Sequence, residues 1–198
     1  MNWSLYSINL LEVKKTTTVQ TKIMSTIPRS AFDHAMALAL VLSDEYDTSE
    51  ETLYEWFEEA GIRAKTASGC YRSAVVLKNA VLKVSHDRSR QNMLRKEAEF
   101  IAEMRRDRKF GRHFPVTHVV TVGDVTVLVQ EKIDMNQSDR WHLEDDVERL
   151  ADKLGIDDMH SENYGWKGKR GREYPVFVDV DARSGRNGTK RKIRSWMV

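Results

Sequence analysis

The chain has a single cysteine, Cys70. That excludes an internal disulfide, and the lack of a Cys/His cluster argues against a structural zinc site. Long apolar runs are missing as well. The longest candidate, 35–42, falls far short of the about 18–20 residues of a membrane span. The start does not show the basic-then-apolar order of a signal peptide. A soluble, intracellular (cytoplasmic) protein without a membrane contact is expected. Residues 183–198 contain no acid but hold Arg183, Arg186, Lys190, Arg191, Lys192 and Arg194, whereas 44–59 is acidic. The net charge of +2 hides this asymmetry. The basic tail is either a solvated run or a contact for an acidic surface. No RNA- or DNA-binding motif stands behind it, so nucleic acid is not an expected partner.

What is present is enough for one core, or two small ones: 198 residues, 40% of them apolar. Residues 1–12 alternate loosely and suit an added strand, while Met24 offers a second start. Helical spacing follows over 28–42, with Phe32, Met36, Ala39 and Leu40 near one face. A second helix is predicted from Thr48, boxed by Glu51, with Leu53, Trp56, Phe57 and Ala60 inward and Gly61 as its stop. These helices read as an appendage, 1–63.

The period then changes. Residues 62–85 alternate like two or three antiparallel strands with a hairpin at Lys78-Asn79. Lys83 interrupts an apolar strand there, so it either snorkels from a sheet edge or meets an anion. A helix over 89–106 places Glu97 on its apolar stripe, where an acid calls for a cation. Lys83 is the nearest unexplained one; otherwise Glu97 flanks the stripe and is solvated. Strands at 118–122 and 126–129 flank the turn Gly123-Asp124. A helix over 138–154 ends at Gly155, and short strands at 164–166 and 174–178 close the pattern.

Between them lies Asp158-Met159-His160-Ser161-Glu162-Asn163, and the strand 176–178 ends in Asp179. A carboxylate, an amide five residues on and a second carboxylate after a short strand are the polar parts that phosphoryl transfer uses. His160 is assigned a structural place in the loop, and the other histidines lack ligand spacing.

This order of parts resembles the protein kinase-like superfamily, in the form of the compact early serine/threonine kinases of tailed bacteriophages. The similarity covers roughly 64–181 and rests mainly on the loop Asp158-Met159-His160-Ser161-x-Asn163. It implies an α+β fold: a five-stranded antiparallel N-lobe sheet with one helix (64–133), a strongly reduced C-lobe (134–182), two helices before them and a basic tail (183–198). It implies ATP and Mg²⁺ as cofactors. Asp158 would be the catalytic base, and Asn163 and Asp179 would bind the metal. Lys83 would hold phosphates with Glu97 orienting it, Gly69 and Tyr71 would belong to the phosphate loop, and Gln130, Glu131 and Lys132 would lie in the adenine-binding hinge. Arg72 stands where another loop glycine would sit, and only seventeen residues follow Asp181. The implied function is a Ser/Thr phosphotransferase acting on a protein substrate; the alternative is a non-catalytic kinase-like protein that binds a host protein.

Overall fold

A computed structural model describes residues 26–136, 143–156, 160–169 and 171–180. Met24, the alternating segment 1–12, Asp158 and the basic tail lie outside them, as does 138–142 of the predicted fourth helix. The described residues form an α+β fold with four α-helices, a five-stranded antiparallel sheet and a two-stranded hairpin. No described helix is long and apolar enough to cross a membrane.

Pro28, with its fixed φ, leads into α1 (Arg29–Asp44). The helix buries Ala31, Ala35, Leu38, Ala39 and Leu42. The stripe is thus rotated from the one predicted. Three alanines face the sheet, where a small side chain allows close approach, and Phe32 sits beside the His118 ring at 5.4 Å. The cap of α2 (Glu50–Glu59) also differs from expectation: Ser49, not Thr48, accepts from the Thr52 amide. Thr48 is buried instead, and its carbonyl accepts from Ser73 Oγ. At the far end Gly61, at φ 68°, lets its own amide reach Glu58 and that of Ile62 reach Phe57, closing the last turn.

Strands β1 (Lys65–Ser68), β2 (Arg72–Val76), β3 (Ala80–Ser85), β4 (Thr117–Val122) and β5 (Val125–Glu131) pair in the order β1-β2-β3-β5-β4. Every residue of β5 is buried. The reason is that both sheet faces are covered. Val75, Leu82, Val84, Val125, Val127 and Val129 share a core with α1 and α2, while Leu128 packs against Leu94 and Ala98 of α3 (Gln91–Arg105). The two leading helices therefore complete the sheet's core.

Helix α3 also reaches a second core. Its Phe100, Ile101 and Met104 join Phe114 of the chain before β4, Val147, Ala151 and Leu154 of α4 (Glu144–Leu154), and Tyr164, Trp166 and Phe177 of the hairpin β6 (Tyr164–Lys167) and β7 (Tyr174–Phe177). The hairpin is stitched to the segment leaving β5 by the Trp166 amide, which donates to Asp134 O at 2.7 Å. Gly165 makes that approach possible: a Cβ there would sit 2.5 Å from the same carbonyl.

His113 fastens the chain after α3 to β7. Its Nδ1–H donates to Pro175 O at 2.8 Å, and its Nε2 accepts from Arg112 Nε at 3.2 Å. Those two bonds select the neutral imidazole. Burial lowers the pKa of His113, and likewise of His34 and His118. Below the ordinary histidine range the unfolded chain binds protons that the folded one resists, so acid shifts the balance toward unfolding. Stability is expected to be full above about pH 7 and to fall as pH drops through about 6.5 toward the lowered folded values. Urea midpoints across that interval check this; His113→Gln should flatten part of the slope.

Candidate functional site

Lys83 lies on β3, the middle strand of the sheet, paired with Ala74 on one side and Leu128 on the other. The edge-strand explanation for this lysine is therefore removed. Cross-strand partners share a face, so Arg72, Ala74 and Lys83 all look toward α3. Lys83 is 6% exposed. Its Nζ donates to Val178 O at 2.6 Å and faces Glu97 Oε1 at 3.4 Å. Glu97 is 2% exposed and lies within the inward stripe of α3. The solvated alternative for Glu97 is removed in turn. A buried ammonium and a buried carboxylate each make the other tolerable.

Arg72 completes the arrangement. One guanidinium nitrogen donates to Glu97 Oε2 and the other to Asp179 Oδ1. Four charges from β2, β3, α3 and the segment just after β7 thus alternate in sign: Lys83, Glu97, Arg72, Asp179. The inner pair is sealed, whereas the Arg72 and Asp179 side chains are 25% and 31% exposed.

The hairpin delivers Asp179. The Asn163 carbonyl accepts from the Val178 amide at 2.9 Å and the Asp179 amide at 3.3 Å, which sets these two polar residues on adjoining backbone. The Asn163 amide in turn donates to His160 O at 2.8 Å. Gln130 meets the same segment from above: its Nε2 donates to Val178 O at 3.1 Å, so this carbonyl serves both Lys83 and Gln130. Lys83, Glu97, Gln130, Asn163 and Asp179, predicted as parts of one site, are brought together. Asp158 belongs to the segment 157–159 outside the described residues.

The remaining predicted residues lie outside the charged cluster itself. The Glu131 side chain is in a different set of contacts, accepting from Thr26 Oγ1 (2.7 Å), Lys167 Nζ (2.8 Å) and the Val116 amide (2.8 Å). Burial pushes its pKa upward, yet the bonds from Lys167, Thr26 and Val116 outweigh this and hold it below the usual glutamate value. The backbone amides of Glu131 and Lys132 donate to Val116 O and Asn79 O, extending the sheet pairing. Glu131 and Lys132 line an open depression of about 510 Å³ together with Lys78, Asn79, Asp134 and Lys167. Gly69 closes the β1–β2 turn by donating to Arg72 O at 2.9 Å. Tyr71 is half-exposed, with the Arg90 guanidinium 5.2 Å from its ring centre.

Sequence reasoning missed Arg72 as a site residue and Lys167 altogether. The Arg72 signal was available in the alternation, because counting back by strand pairing from Lys83 places Arg72 on the same face. No local signal ties Lys167 to Glu131, since they meet only through the hairpin's docking.

The donor chemistry suits a hard divalent cation. Asp179 offers a carboxylate and Asn163 a side-chain amide, both oxygen donors. Among the described residues no group of three or more His, Cys, Asp or Glu could hold a metal. A cation here would complete its shell with water and ligand oxygens, the way Mg²⁺ is usually held. Comparison with protein-family models, curated proteins and solved structures finds no match to this chain.

Proposed function

We propose that the protein is an ATP- and Mg²⁺-dependent phosphotransferase of the protein kinase-like type, acting on Ser or Thr hydroxyls of a protein. The observation that carries this reading is the convergence of Lys83, Glu97 and Asp179, from a central strand, a helix and the end of a hairpin. A strand lysine oriented by a helix glutamate beside a cation-binding acid is the arrangement that cradles nucleotide phosphates in kinases. Lys83 would donate to the phosphates, with Glu97 holding its ammonium in place. Asp179 and Asn163 would hold Mg²⁺, which supplies charge neutralisation on the phosphate oxygens. Asp158 would take the hydroxyl proton. Gln130 and the chain after it, through Ile133, would border the adenine. The work of this chain is then positioning and electrostatics.

A second reading has its own observation. Arg72 already holds Asp179, and Lys83 is engaged by Val178 and Glu97. A protein that binds and restrains a host protein, with no chemistry of its own, would be content with such a closed site.

Incubation of the full chain with Mg²⁺ and γ-labelled ATP, alone and with a mixture of candidate proteins, separates the two. Label on Ser or Thr is expected, falling by about 10²–10⁴ in Asp158→Asn, the range for losing a general base. Undiminished transfer in Asp158→Asn would refute the assigned base, and no transfer to any protein would favour the second reading.

A further inference from the structure

We propose that Arg72 is a displaceable internal counter-cation: in the ligand-free protein its guanidinium takes the place at Asp179 that a divalent cation takes when ligand binds. The inference rests on the reading above of Asp179 as a cation ligand and adds to it a gate that this chain carries in itself.

The geometry distinguishes two halves of the charge cluster. Lys83 remains beside Glu97 at 3.4 Å without help from Arg72, so Glu97 keeps a partner if the guanidinium leaves. Asp179 stands differently. The Arg72 contact is its side-chain ion pair among the described residues. The contact also lies at the more exposed end, with both side chains a quarter to a third open, so it can part without unpacking the core. Arg72 opens β2 directly after the turn 69–71, whose tip residues Cys70 and Tyr71 are exposed.

The fork shape of the guanidinium makes this bridge possible. Its planar nitrogens can bridge carboxylates on two segments, which a lysine ammonium on a flexible stem does less well. While Arg72 bridges them, one carboxylate oxygen of Asp179 is occupied and its charge is offset. A cation arriving at Asp179 gains less attraction and must displace a donor. Arg72 and the cation therefore compete, and the site should bind metal more tightly once the arginine is removed.

The test uses Mn²⁺ alone as the probe, followed by the loss of its free-ion paramagnetic resonance signal in the full-length protein. Relative to wild type, Arg72→Gln is expected to bind Mn²⁺ at least about tenfold more tightly, given the charge removed beside the ligand. Adding Asp179→Asn to that variant should abolish the gain. Arg72→Lys, which keeps a charge but loses the fork, should fall between wild type and Arg72→Gln. Circular dichroism confirms that each variant is folded. Unchanged or weaker binding in a folded Arg72→Gln protein overturns the proposal, as does a gain that survives Asp179→Asn. If Arg72→Gln does not fold, Arg72→Lys decides, and wild-type affinity there overturns it.

No nucleotide enters this measurement, which keeps the two claims apart. Tighter Mn²⁺ binding together with absent phosphate transfer would support the gate and remove the phosphotransferase reading. Transfer without any change in Mn²⁺ affinity would remove the gate alone.

Discussion

Glu97→Gln is expected to destabilise the folded protein by about 3 kcal/mol, because it strips a buried ammonium of its carboxylate. The Lys83 side chain is 8% exposed and that of Glu97 3%. A neutral amide there still accepts a hydrogen bond, but it offsets neither the Lys83 charge nor that of Arg72. For a chain of this length the melting midpoint should fall by about 10 °C. The sharper comparison is with Lys83→Met combined with Glu97→Leu. Removing both charges together avoids the orphaned ion, so most of the lost stability should return. If Glu97→Gln unfolds within about 1 kcal/mol of wild type, Lys83 is not held as described.

The second large effect lies on the sheet face opposite the charged cluster. Deleting residues 26–63 should abolish cooperative unfolding, with the shortened protein binding hydrophobic dyes. Without α1 and α2, Leu82, Val84, Val125, Val127 and Val129 would lose the cover that makes them core. Exposed β-branched strands of that kind invite aggregation. A milder version keeps the helix and removes one anchor. Leu53, fully buried, should cost about 3 kcal/mol on truncation to alanine. A deletion variant with a normal melting transition would show that the helices are dispensable.

These two expectations mark what the sequence revealed and what it concealed. Lys83 and Glu97 were legible because each is an ion at a position whose neighbours in the periodic pattern are apolar, and burying an unpaired ion is costly. The hairpin at Gly123-Asp124 was legible from turn chemistry, and the Gly61 and Gly155 stops from the left-handed backbone they adopt, at φ 68° and 66°. The role of α1 was not legible. Its alanines carry little hydrophobic signal, yet they face the sheet, and the larger Phe32 and Met36 are only partly covered. The α2 cap was displaced by one residue because Thr48 and Ser49 are both competent caps, and the tertiary bond from Ser73 to the Thr48 carbonyl is invisible locally. The Glu131–Lys167 pair joins residues 36 apart in sequence through the docked hairpin. Only the folded arrangement creates that contact.

The most direct measurement is calorimetric titration of the full chain with ATP, in the presence and absence of Mg²⁺, on wild type, Lys83→Met and Asp179→Ala. The account predicts one nucleotide per chain, bound only with Mg²⁺, with binding lost in both variants. Binding that ignores the metal, or that survives both substitutions, would contradict it, as would no heat at millimolar nucleotide.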